Sequence, residues 1–440
     1  MKGKTVLAIF MLLLGLLVGA AGCASSSSSS GSKPAVDDDN DDSSPDDDDD
    51  DNDTTDDDDD NDDDNDDSSP DDDDDDNDND TTDDDDDDTT DDDDDASPVD
   101  DDDDTSPAPD DDDTAAPSWT SVWTHGNAEF LGIWGSDPTN VIVVGGSVDN
   151  SGYPKAGDNI WFFSNGAYAD KFRSSSDPVV YQGVWGTDAS DSWAVGAQYT
   201  PGAWTSTDTI IATPATGGAL SWSDTIVLYG VAGVSGDVFA VGYDIVNGVS
   251  AMWNYTGGSW SAMTNDSGMN PLLAGVWAAD SSAVWAVGFN SGPVGELLLW
   301  NGASWAEKDQ SADTEAWHTV WGTSVSDVFF AGAWIDGATM EPIIWRYDGS
   351  TYAHINPSGA TGDLNGSWGT SDTNVFFVGQ DNSGAAMILN YDGSTASPMT
   401  LPGGLANTAL QAVWGSSPSD VYAVGYDTSN YTGVVLHYGS

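Results

Sequence analysis

Cations are scarce in this chain: eight Lys and Arg stand against 79 Asp and Glu in 440 residues, for a formal net charge of -71. Counterion release from a phosphate backbone needs clustered Lys and Arg, so nucleic-acid binding is excluded. Cysteine is almost missing too, and the single thiol, Cys23, cannot make an internal disulfide. Histidine is limited to His125, His318, His354 and His437, at unrelated positions with no Cys nearby, which leaves nucleophilic catalysis without a matched nucleophile and base. The apolar run Val6 to Val18 falls short of the roughly 20 residues that cross a bilayer as a helix.

The acidic excess is localised. Residues 37–113 hold 50 of the 74 Asp and no Lys, Arg or Glu, whereas residues 118–440 hold 24 Asp, 5 Glu and 5 Lys or Arg and carry a net -24. Fifty carboxylates with almost nothing apolar among them cannot offset their own chain entropy, so residues 23–117 read as a disordered Ser- and Asp-rich stalk. Its upper reach is roughly 300 Å at about 3.3 Å per residue. The stalk contains no EF-hand order and from Asp37 on no Gly, so calcium capture there is diffuse rather than site-specific. A structural role for the stalk, in surface hydration or cation retention, is one reading of the chain.

Residues 1–22 have the build of a secretory leader: Met1-Lys2-Gly3-Lys4, the apolar run, then Ala20-Ala21-Gly22-Cys23. The segment resembles the lipobox of bacterial lipoproteins, with Ala20 where that family more often carries Leu. The resemblance implies lipid attachment at Cys23, membrane anchoring without a spanning helix, and, from Ala24, the outer membrane of a Gram-negative bacterium with the protein facing periplasm or surface.

Beyond Pro117 one phrase recurs seven times: Val-Trp-Gly or a variant, about six residues, then an apolar run closing on Gly. Taken at the Trp position, occupied by Trp134, Trp185, Ala232, Trp277, Trp321, Trp368 and Trp414, the spacings are 51, 47, 45, 44, 47 and 46 residues. That period suits a four-stranded propeller blade and exceeds a leucine-rich or ankyrin repeat. Segments such as Asp420-Val421-Tyr422-Ala423-Val424-Gly425 are short, β-branched and aromatic, and Asn301-Gly302 and Asp348-Gly349 supply hairpin turns. The seventh copy lacks a fourth strand, and Ser118–Trp123 matches it; pairing of the two closes the ring. The fold class is therefore all-β, a seven-bladed propeller over 118–440. It resembles kelch and WD40 propellers in architecture, although the Trp-Asp dipeptide of WD40 is absent. That likeness does not carry function.

Two arginines, Arg173 and Arg346, and no complete Asp-box argue against a sialidase. All 20 Trp lie in the repeats, where the recurring ones serve blade packing. Off-pattern aromatics Tyr199, Trp204, Phe289, Trp334 and Tyr431 fall in or beside the loops after the second strands, with Asp244, Asp381 and Asp427 in the same loops. Such a face suits a glycan or protein ligand, and the three Asp make calcium a candidate ion; no cofactor is required. The leading expectation is a non-catalytic binding module. The alternative is a glycosidase or lyase acting on polysaccharide, which predicts two acids converging in the loop face or channel, at least one with a raised pKa.

Overall fold

The computed structural model describes residues 116–440 except 165–166, 215–216, 235, 291–293, 311–313 and 337–338. The leader, Cys23 and the Asp-rich stalk lie outside the described residues.

The chain forms seven four-stranded antiparallel sheets, one for each copy of the repeat. We number them blades 1 to 7: residues 128–175, 179–222, 226–262, 272–310, 315–355, 362–398 and 408–439. In blades 1 to 6 the strands pair in chain order. The first strand of each blade contacts the first strands of its neighbours, and that of blade 7 meets that of blade 1, so these strands ring a central channel. Second strands such as Asn140–Ser147 and Asn374–Asp381 are buried along nearly their whole length. Packed on both faces, they read as continuous apolar runs rather than as alternation.

Two glycine positions explain why the repeat phrase has its form. The closing Gly of each second strand, from Gly145 to Gly425, lies against a carbonyl of the inner strand, so that any Cβ would overlap Glu129 O at Gly145 or Ala409 O at Gly425. The inner strand bulges directly afterwards, between Phe130 and Gly132 or Leu410 and Ala412. The Gly of Trp-Gly has a different duty: it receives the indole of the preceding blade. A Cβ on Gly135 would stand 2.6 Å from the Trp414 ring, one on Gly186 2.9 Å from Trp134, and one on Gly415 2.6 Å from Trp368. The one blade whose Trp is replaced, by Ala232, faces the one blade whose Gly is replaced, by Ala278, and both alanines belong to one core cluster.

The last sheet has the order that closes the ring. Ser118–Gly126 is its outer strand and pairs with Thr432–Gly439, from Ser118 opposite Gly439 to Gly126 opposite Thr432. Two indoles fasten this strand to the blades on either side. Trp119, buried, lies 5.4 Å from Tyr438 and 6.3 Å from Phe376 of blade 6, and its Nε1 donates to Met399 Sδ at 3.3 Å. Trp123 stacks on Phe130 of blade 1 at 5.1 Å. The register also sets direction: the chain enters at the end where inner and second strands join by tight turns, opposite the end that carries the long loops.

Candidate functional site

At the turn end, carboxylates hold the backbone. Asp191, Asp327 and Asp420 accept from the hydroxyls of Thr187, Thr323 and Ser416 four residues earlier. Asp137 accepts from Thr139 Oγ1, from Asn140 Nδ2 at 2.8 Å and from Thr139 N at 2.8 Å, and these bonds pull its carboxyl down to about 2. Arg346 bridges Asp327 at 2.7 Å and Asp372 at 2.9 Å, joining blade 5 to blade 6. These acids are committed to turn geometry.

At the loop end, three of the five off-pattern aromatics come together across blades 7, 1 and 2. Gly152, at φ 79° in the loop of blade 1, lies beneath the Tyr431 ring of blade 7 so closely that a Cβ there would overlap the phenol. Its carbonyl accepts from Trp204 Nε1 of blade 2 at 3.1 Å, and Gly202 N donates to Pro154 O at 3.3 Å. Trp204 meets Tyr199 edge to face at 5.1 Å. Tyr153, beside Gly152, is 43% exposed. Tyr199 itself is buried, so within the cluster Trp204, Tyr431 and Tyr153 are the rings with exposed surface.

The other two aromatics are elsewhere. Phe289 is buried against His318 at 5.6 Å, and Trp334 packs partly buried on the core shared by blades 4 and 5. Alternation puts Phe289 on a core face, so its ring is engaged in packing rather than offered to a ligand.

Beneath the cluster lies Glu129, one of the five Glu of residues 118–440. It is the second residue of the inner strand Ala128–Asp137, 2% exposed, and its Oε1 has no hydrogen-bond partner. Burial pushes its carboxyl up to about 8, and no neighbouring charge contributes to the shift. Three phenols lie within its electrostatic reach. Tyr199 is raised by burial and further by Tyr229 and Glu129, opposed by a hydrogen bond from Gln182; Tyr426 is raised by burial, then by Glu129 and Tyr431; Tyr431 is raised by burial, then by Glu129, Asp149 and Tyr153. The signal that could have found Glu129 was in the repeat: the same position holds Val180, Val227, Leu272, Ala316 and Ala409 in five other blades.

The sixth holds Asp363, and there the charge is paired. His318 Nδ1 lies 2.9 Å from Asp363 Oδ1 across blades 5 and 6, both residues buried. Burial opposes charge on His318, and the Asp363 carboxylate outweighs it, so the imidazole titrates above its ordinary value. Thr319 and Ser367, the next polar pair on this seam, share a hydrogen bond of 2.7 Å.

The three loop acids considered for calcium sit on blades 3, 6 and 7 and serve their own loops. Asp244 accepts from Asn247 Nδ2 at 2.6 Å and from the amides of Val246 and Asn247; Asp381 accepts from the amides of Ser383 and Ala385, both within 2.9 Å; Asp427 accepts from Ser429 N at 2.8 Å. Burial favours the neutral form of Asp244, and the Asn247 and Thr225 bonds overcome it, lowering the carboxyl. Among the described residues no three His, Cys, Asp or Glu are grouped to hold a metal ion.

No protein-family model matches this chain, and no curated protein matches it. Among solved structures it is similar to the WD40 β-propeller domain of Doa1, at 9% identity and TM-score 0.50, over 72% of this chain and 96% of that one. It also aligns with YCF48 bound to D1 peptide, at 12% identity and TM-score 0.48 over 74% and 100% of the two chains. YCF48 from Cyanidioschyzon merolae aligns at 12% identity and TM-score 0.48, over 73% and 98%. At these identities the likeness is one of fold, and the fold is a seven-bladed β-propeller similar to the WD40 type.

Proposed function

We propose that this protein is a lipid-anchored, non-catalytic binding module that presents the loop end of blades 7, 1 and 2 to a ligand. The observation that carries the reading is the interlock of three loops on Gly152, which holds Tyr431 and Trp204 beside the exposed Tyr153 on a rigid ring. Aromatic surface fixed by loops that hold one another is preorganised for recognition. The register of Ser118–Gly126 is compatible with this choice of face, since Ser118 lies at the opposite end of the ring.

The alternative of a polysaccharide-acting enzyme asks for two converging acids. Glu129 supplies one carboxyl with a raised pKa, but burial alone raises it, whereas a second carboxylate nearby would add a charge contribution of its own. The binding reading therefore fits the site better. Lipid attachment at Cys23 and an outer-membrane location belong to the same proposal and rest on the leader sequence.

A screen of glycans and peptides against the full chain, read by thermal shift, tests the binding face. A ligand whose shift is lost in both Trp204→Ala and Tyr431→Ala supports the proposal; a shift untouched by either places binding elsewhere. For the anchor, metabolic labelling with an alkynyl fatty acid should mark the wild-type protein and leave Cys23→Ser unlabelled. Labelling of the variant would refute attachment at Cys23.

A further inference from the structure

Glu129 raises a question that blade packing does not answer. At the equivalent position five blades carry Val, Leu or Ala, and Asp363 has the His318 imidazole at ion-pair distance, 2.9 Å, though outside hydrogen-bond geometry; Glu129 Oε1 is buried with no hydrogen-bond partner. An unpaired buried carboxyl costs stability that a Val would not. Tyr431 O of blade 7 accepts from the amide of Ala128, the residue before Glu129, at 2.9 Å, and Tyr199 and Tyr426, from blades 2 and 7, feel the charge of Glu129. A tyrosine face carries negative charge density that suits a cation, and its phenol oxygen can accept a hydrogen bond from one.

Backbone strain collects at the same place. Among the described residues Asn127 and Tyr431 are the only non-glycine residues with positive φ, at 57° and 55°. Asn accepts this region readily, whereas a bulky aromatic there is an outlier. Both flank the start of the strand that bears Glu129: Ala128 N donates to Tyr431 O at 2.9 Å, and Val148 N donates to Asn127 O at 3.0 Å. Tyr431 O accepts from the amide before Glu129 and its ring covers Gly152, so it links the strand that bears the carboxyl to the exposed loop. Such strain persists where surrounding structure enforces it, and it gathers at ligand clamps.

We propose that Glu129 and the tyrosines around it form the seat for a protonated primary amine, a lysine side chain of a partner protein that enters beside Tyr431. The inference rests on the loop end being the binding face, and it names what that face selects. A lysine fits because its charge is compact and sits at the end of a slim four-carbon stem, whereas a guanidinium is a broad plane. The ammonium gives Glu129 its missing partner and the phenol faces a cation. The net -24 of residues 118–440 steers a basic partner toward the ring. Lys155, the cation of the same loop, acts on Asp149.

The test uses the full chain at physiological salt and a lysine tripeptide blocked at both ends, with binding read by calorimetry. The Asp-rich tract is common to all variants, so its diffuse binding cancels between them. Expected are saturable binding to the blocked peptide and a loss of about tenfold or more when its side-chain amine is acetylated or when Glu129→Gln replaces the carboxyl. Affinity should rise between pH 6.5 and 8 by up to about tenfold per unit, because a proton competes with the amine for Glu129. The groups facing that carboxyl, Tyr199, Tyr426 and Tyr431, titrate above this window, and Asp149 below it. Equal affinity for the acetylated peptide, or in Glu129→Gln, overturns the amine seat. If that equal affinity is lost in Tyr431→Ala, the binding face survives without it; if Tyr431→Ala also changes nothing, both readings fall. Binding that depends on Glu129 for glucosamine but not for the lysine peptide overturns the protein source.

Discussion

Replacing Gly135 by Ala should be costly in one background and cheap in another. Its new Cβ would stand 2.6 Å from Trp414 Cη2, against the roughly 3.5–4.0 Å at which carbon atoms normally touch. The indole must therefore withdraw by about 1 Å. It has little room, because it lies in a buried cluster with Phe163, Val424 and Tyr422, the last in stacked orientation. Overpacking of this kind costs about 1–3 kcal/mol. Trp414→Ala removes a side chain only 9% exposed and should cost about 3–5 kcal/mol. In the double variant the clash has no partner, so its cost should fall short of the sum of the singles by about 1–3 kcal/mol. Ala232 facing Ala278 is the same exchange already made at another blade junction. Urea unfolding of the full chain, followed by far-ultraviolet circular dichroism for wild type, both singles and the double, gives the coupling energy. Strict additivity would refute the pairing of Trp and Gly between blades as the reason for the repeated phrase.

Glu129 makes stability depend on pH. Its folded pKa, about 8, lies above the ordinary carboxyl value of 4.5, so the folded state keeps the proton longer, and the contribution of Glu129 to stability is most favourable below 4.5 and falls as pH rises toward 8. By pH 7 the loss should be roughly 3 kcal/mol, and Glu129→Gln should abolish it; an unchanged slope of the urea midpoint against pH would refute the burial argument. His318 acts in the same sense: its folded pKa is raised above 6.5, so the stability from the Asp363 pair is fully present below 6.5 and lost as pH climbs through the folded value. His318→Asn should flatten that part of the profile, measured by the same titration. Deleting Ser118–Gly126 should prevent cooperative folding, and Trp119→Ala alone should cost about 3–5 kcal/mol, since its ring is buried against Phe376 and Tyr438. Thermal melts that match wild type would show that the ring does not depend on this strand. Calcium should change the melting temperature by the same amount in wild type and in the triple variant Asp244→Ala, Asp381→Ala, Asp427→Ala, because these oxygens already hold their own loops. A shift confined to wild type would assign them a calcium site.

Much of the architecture was legible in the sequence because a propeller is one local pattern repeated. The Trp-Gly phrase, the closing Gly and the Asn-Gly and Asp-Gly turns are properties of neighbouring residues, and their period of about 46 residues specifies the blade. The match of Ser118–Trp123 to the missing fourth strand was likewise written in the repeat, since like segments occupy like places. What the indoles touch was not legible: Trp414 packs on Gly135, 279 positions away in the chain, because the ring closes on itself. Nor was the division among the aromatics. Tyr199 and Phe289 share an off-pattern origin with Trp204 and Tyr431, yet the pleat turns the first two inward, and the loops of blades 7, 1 and 2 gather the other two over Gly152. Charge was the least legible property, because a carboxyl's state depends on what surrounds it. Glu129 and Asp363 occupy equivalent positions, and only the neighbouring blade decides that Asp363 faces His318 while Glu129 is buried with an oxygen that has no hydrogen-bond partner.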